Sequence, residues 1–183
     1  MRTNRLSQFI NILVLGGLSN SLWAHGSLTM VAPPAALVAA AALVEGATEL
    51  TLRELYQMPI GPRGLAPSAK LLALEGKQVR VTGYMVAEEE PVGGRLILAP
   101  RPTQLVDEDE PESDDLPPNV VYVSFPSTVQ VPPMRGQIRL TGTLRLGAVA
   151  QPDGRLAAIR LELAPNLVSL LPTATSPAKP STP

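Results

Sequence analysis

The 183-residue chain has no cysteine, one histidine, and few aromatics: one Trp, three Tyr and two Phe. The missing thiols exclude disulfides, thiolate metal sites and a cysteine nucleophile together. With His25 as its one imidazole, the chain cannot assemble a Ser-His-Asp or Cys-His arrangement within its main body. The scarcity of aromatic rings points to a core of Val, Leu, Ile and Ala, and it removes most stacking platforms for single-stranded nucleic acid. A formal net charge of -1 supplies no broad basic field for a polyphosphate backbone, so no nucleic-acid partner is expected.

What is present begins with an export pattern. Arg2 and Arg5 precede an apolar run from Phe9 to Leu18, and the chain then turns polar before Leu22, Trp23 and Ala24. That is the layout of a secretory signal, and the run is shorter than the roughly 20 residues a bilayer span needs. Residues 1–24 are therefore read as a signal peptide, cleaved after Ala24, with a periplasmic or secreted product and no stable membrane insertion after cleavage. Losing Arg2 and Arg5 leaves 13 basic against 16 acidic residues, a net charge of -3. The length suits one domain.

Residues 25–47 form an Ala/Pro-rich lead-in, in which the alanine run favours helix and Gly46 offers a stop. Thr51 and Glu54 stand in capping-box spacing, which predicts a short helix over 52–57 with Leu52, Leu55 and Tyr56 on its buried side. Ser68 is placed to cap a further turn through Leu74. Residues 166–183, rich in Pro, Ser and Thr, read as a disordered tail.

Between them, 48–165 reads as an all-β domain. "LEGKQVRVTGYMV" at 74–86 alternates apolar and polar residues, and "RGQIRLTGTLRLG" at 135–147 echoes it, with Gly83 and Gly142 each sitting in the apolar row. Glycine there predicts a bend or bulge in a strand that curls. "RLILAP" at 95–100, "VVYVSF" at 120–125 and "RLAAIRLEL" at 155–163 bring the strand count to five. An Asp-Gly turn joins the last two. Five short strands, two of them bent by glycine, predict a five-stranded OB-like barrel with a short helical N-terminal lead-in.

Gly76, Lys77, Val79, Arg80, Gly83, Tyr84, Met85 and Val86, followed by Pro117, Pro118 and Asn119, resemble an exported bacterial family, domain of unknown function family 3299. The resemblance spans roughly residues 50 to 165, implies an OB-like core and an exported setting, and carries no established activity. Members often hold a Cys- and His-containing stretch where this chain has an acidic one, so no metal or redox role transfers.

Three features could bind something. His25 would become the first residue after cleavage, but copper sites need several nitrogen or sulfur ligands and the chain has no second histidine. "DEDEPESDD" at 107–115 places seven acids in nine residues without the residue order of a calcium loop, so it reads as a solvated segment. A small-ligand or metal-ion role for it is the alternative function. The polar rows of the two related strands, Arg80, Thr82 and Tyr84 with Arg139, Thr141, Thr143 and Arg145, are expected on one outer surface as the ligand-binding patch. An ordinary solvated face is the competing reading. No catalytic residue, metal site or cofactor is assigned. The expectation is a non-enzymatic accessory module recognising an envelope protein or peptide.

Overall fold

The computed structural model describes residues 30–88, 91–105 and 116–172. The expected signal peptide, His25 and the acidic run 107–115 lie outside the described residues. The structure is all-β with a few short helices. Helix α1 (Ala35–Leu43) leads into β1 (Thr48–Thr51), a single 3₁₀ turn (Leu52–Glu54) and α2 (Ala69–Ala73). Strands β2 (Gln78–Met85), β3 (Ala87–Glu88), β4 (Arg95–Ala99), β5 (Gln104–Leu105), β6 (Val121–Ser124), β7 (Gln137–Ala150) and β8 (Leu156–Leu163) follow, and α3 (Pro165–Val168) closes the order.

Six strands form one mixed sheet in the order β1-β2-β4-β6-β8-β7, and β7 also pairs with β2. The pairings of β2, β4, β6, β8 and β7 therefore return to β2, with β1 added in parallel alongside it. Neighbours are antiparallel except at β6–β8 and β1–β2. The strict alternation of β2 and β8 directs Val79, Val81, Ile159 and Leu161 to a common interior with Leu96, Leu98, Val121, Val123, Ile138, Leu140 and Leu144. Each fully buried side chain of this kind stabilises the fold by roughly 1.5–3 kcal/mol.

Strand β4 departs from alternation because both of its faces are covered. Leu96 and Leu98 enter the main core, while Ile97 and Ala99 join Val86, Leu105, Tyr122 and Ala157 in a second apolar cluster beneath the β3–β5 pair. The near-continuous apolar run in "RLILAP" is what a strand buried on both sides requires.

Several boundaries differ from the sequence reading. The capping box forms, with the Glu54 carboxylate accepting from Thr51 N–H at 3.0 Å and Thr51 Oγ1 at 2.8 Å, but it starts one 3₁₀ turn and not a helix over 52–57. The parallel strand β1 ends directly before it; Leu52 and Leu55 are buried in the core as expected, and Tyr56 packs partly against it. Lys70, foremost, and Thr51 hold the Glu54 carboxyl down at about 2. Ser68 caps α2 as expected, accepting from Leu71 N–H at 3.0 Å. Helix α1 stops at Leu43, before Gly46. At the other end α3 occupies the start of the expected tail and buries Leu167, and Leu171 just beyond it is buried too, so packed structure runs past residue 165; residues 173–183 lie outside the described residues.

The two strand glycines have a steric role. Neither has a positive φ. A Cβ on Gly142 would fall on the Glu162 carbonyl and within 3.0 Å of Leu161 Cγ, because β7 there lies against β8 and β2 together. A Cβ on Gly83 would meet Leu52 Cδ1 at 2.8 Å and, less closely than at Gly142, a backbone carbonyl, Ala99 O at 3.0 Å. Backbone cannot step aside as a leucine methyl can. Gly142→Ala is therefore expected to cost more than the roughly 1–3 kcal/mol of ordinary overpacking, and Gly83→Ala to fall within it. Urea unfolding of the two variants checks the order.

Candidate functional site

The seven residues expected to form one outer patch divide into two groups. Helix α1 lies across β2 and β7 and takes two of them. Thr141 is 0% exposed and donates its hydroxyl to the Ala41 carbonyl at 2.8 Å. Arg80 donates from Nε to the same carbonyl at 2.8 Å and from Nη2 to Val44 O at 3.0 Å, and its Nη1 reaches Glu49 on β1 at 3.5 Å. The last carbonyls of a helix lack partners within it, and a guanidinium there also meets the negative end of the helix dipole. Arg80 and Thr141 thus anchor the lead-in, and the expectation that they face solvent is corrected. An apolar helix of alanines gave no sequence sign of where it would lie.

The other five stay at or near the surface. Arg139 reaches Thr82 Oγ1 at 3.3 Å, Gln78 Nε2 reaches Thr143 Oγ1 at 3.3 Å, and Arg145 pairs with Glu162 on β8 at 3.0 Å. Tyr84 is at the far end of β2, where it lines a cleft of about 470 Å³ with Met30, Met85, Gln104, Met134 and Arg135. One wall is fixed by the first described residues: Val31 N–H donates to Pro133 O at 2.8 Å and Arg135 N–H to Val31 O at 2.6 Å. Strand β5 supplies the other wall through Gln104. The lining is largely apolar; Met85 and Met134 form its floor from the core, and Met30 is partly exposed. Arg135 is exposed and makes no ion pair with a described residue. A volume of this size and character suits a small ligand or an apolar segment of a partner.

A second polar constellation escaped the sequence reading. Arg95, 7% exposed at the start of β4, donates from Nη2 to Glu88 Oε1 at 2.6 Å and to Asp153 Oδ2 at 2.8 Å. Arg155 also reaches Asp153, at 3.3 Å. The cluster ties the end of β3 to the β7–β8 turn. Burial pushes the Glu88 carboxyl up, against the pull of Arg95 and with a push from Asp153. Burial works against the charge on Asp153 as well, but the Arg155 backbone N–H, Arg95 and the Arg155 side chain hold its carboxyl below the usual range. Arg95 Nε and Nη1 and Arg160 Nε are buried without a hydrogen-bond partner among the described residues. An arginine leading an otherwise apolar run was the available signal for this cluster. The Asp-Gly turn concealed its partner, because those residues explain a hairpin by themselves.

These features define an all-β protein on a mixed sheet with a cleft at the end of β2. No family model and no curated protein matches the chain. Its structure is similar to the crystal structure of a DUF3299 family protein from Pseudomonas aeruginosa PAO1, at 15% identity and a TM-score of 0.44, covering 64% of this chain and 93% of that one. That is the family whose motifs the stretches at 76–86 and 117–119 resemble.

Two substitution sets test the anchoring roles. Arg80→Gln is expected to lower stability by about 1.5–3 kcal/mol through its lost charge-assisted bonds, while Arg139→Gln stays within about 0.5 kcal/mol; melting curves compare them. Arg95→Met leaves Glu88 and Asp153 facing each other with their main cation gone and is expected to cost about 3–5 kcal/mol near neutral pH. Without the guanidinium the Glu88 carboxyl, already pushed up by burial, loses its main counter-charge and titrates higher in the folded than in the unfolded chain, while Arg155 still holds Asp153. The variant should therefore recover stability as pH falls into the carboxylate range and lose it as pH rises through the folded value of Glu88. Urea unfolding at a series of pH values reads that slope.

Proposed function

We propose that the chain is an exported, non-enzymatic binding module on a five-stranded OB-like barrel, and that it receives an apolar segment of an envelope protein or peptide in the cleft beside Tyr84. The barrel reading is supported by the return of β7 to β2, which joins five strands in a ring. Export is supported by the arginine-flanked apolar run and Ala24. The absence of catalysis rests on composition: no cysteine, and one histidine at position 25.

The observation that carries the function is the cleft. Its apolar lining of Met30, Met85 and Met134 meets a half-exposed Tyr84 and two polar side chains at the rim, Gln104 and Arg135. Apolar surface flanked by a few hydrogen-bonding groups is how specific ligand sites are built. OB barrels commonly bind oligonucleotides or sugars on the face of their second and third strands. In this chain those strands are β4 and β6, and the cluster of Val86, Ile97, Ala99, Leu105 and Tyr122 occupies that face. Recognition is thereby directed to the end of β2. Of the remaining polar row, Thr82 and Arg139 lie next to Tyr84 along the paired strands, while Thr143 and Arg145 lie toward the other end of β2. The acidic run 107–115, basis of the alternative cation-binding role, lies outside the described residues.

A photo-crosslinking side chain in place of Gln104 is expected to capture a partner from envelope extract, whereas one in place of exposed Thr128 captures none. Tyr84→Ala should remove a central contact worth roughly 2 kcal/mol and reduce the crosslink in step. A yield at position 104 that Tyr84→Ala leaves unchanged would rule the cleft out as the binding site.

A further inference from the structure

Residues 57–67 are exposed along their whole length, yet they are held as a defined tongue. At the root Gln57 N–H donates to Ala66 O at 2.8 Å, Gln57 Nε2 to Pro67 O at 3.0 Å, Ser68 N–H to Leu55 O at 2.9 Å and Ser68 Oγ to Glu54 O at 2.6 Å. At the tip Gly64 N–H donates to Gly61 O at 3.0 Å. Pro59, Pro62 and Pro67 limit the conformations between.

The tongue carries apolar side chains for which the fold has no use. Met58 is 73% exposed, Ile60 57% and Leu65 39%, on a loop bridged antiparallel at Tyr56–Pro67 and again at Gly61–Gly64. A fourth exposed side chain, Leu72, follows on α2; the other large exposed apolar residues among those described, Val149 and Leu156, belong to the β7–β8 hairpin. Charge near the tongue has one predominant sign. From residue 53 to residue 77 the cations are Arg53, Arg63, Lys70 and Lys77 and the acids Glu54 and Glu75, with Glu54 already paired to Lys70 at 2.9 Å.

We propose that the tongue is a peripheral membrane contact, seating Met58, Ile60 and Leu65 at the headgroup level of an anionic bilayer with Arg63 among the phosphates. Size and charge together select this occupant. A stable protein interface needs about 800 Å² from each partner, which a narrow loop of this length does not offer alone. Shallow insertion into a bilayer surface requires a few apolar side chains, and nearby cations add to it on anionic lipid. Ordering has already occurred in the free protein, because the root bonds and prolines hold the tongue in place. This contact is separate from the cleft, and either can fail without the other.

The sequence contains no cysteine, so Ile60→Cys takes a single environment-sensitive fluorophore on the full chain, and Leu156→Cys provides an exposed apolar control on the hairpin. With phosphatidylglycerol-containing vesicles the label at 60 is expected to brighten, shift to the blue and be quenched by lipids that carry a quencher near the headgroup. The label at 156 stays in water even where another part of the chain brings the protein to the vesicle. Adding Arg63→Gln should weaken the response at 60 about fivefold, the equivalent of about 1 kcal/mol for one cation near an anionic surface. A label at 60 that remains in water with every vesicle overturns the proposal, as does one that responds only to a soluble protein. Equal responses to phosphatidylglycerol and phosphatidylcholine vesicles, with Arg63→Gln unchanged, overturn its anionic part.

Discussion

Strand β7 pairs with β2 through residues 137–143 and with β8 from residue 142 onward, so at Gly142 and Thr143 both of its edges are occupied. A strand in that position has its backbone closely approached from two sides. Gly142 has no side chain to obstruct this, and the Glu162 carbonyl occupies the space a Cβ would need. Without this close approach the ring of strand pairings would stay open, leaving β2 and β7 with unpaired edges. The interior formed by Val79, Val81, Leu140 and Leu161 depends on it too, because those side chains converge only once β2 and β7 are joined.

Joining β2 to β7 also creates the surface on which α1 rests. Their outer rows present Arg80 and Thr141 side by side, across from one another in register, and both point donors at the Ala41 carbonyl. A helix made almost entirely of alanine, leucine and valine has no polar side of its own, and its nine residues would be marginal in water as an isolated helix. Two donors at its end and the burial of Leu37 and Ala41 fix where it lies. The same logic operates at Arg95, where one buried guanidinium draws Glu88 and Asp153 together and binds two distant turns to one strand. Such an arrangement sets geometry more than it adds stability, since desolvation offsets much of the ionic attraction.

What the sequence disclosed was local. Period-two alternation marked β2 and β7, the repeated glycines singled out one point in each, and Ser68 announced the start of α2. Strand β1 was hidden because its four residues bury one side chain, Leu50, and take their order from a parallel neighbour distant in sequence. The polar row was legible as a row, but its exposure was not. Whether Arg80 meets water or a helix end is decided by where α1 packs, and nothing in an apolar alanine run encodes that. The cleft was harder still, since Met30, Met85 and Met134 come from three separate segments and no short motif joins them.

The double burial of β4 bears on how freely this chain can change. A strand with one wet face leaves every second position open to drift, because exposed substitutions usually move stability little. Between Arg95 and Ala99 no such position exists: two side chains serve one apolar cluster, two serve another, and the arginine holds a pair of carboxylates. Variation there must be matched by compensating change on both sides of the strand at once. Among related chains that share this fold, β4 should therefore be the slowest of the strands to diverge.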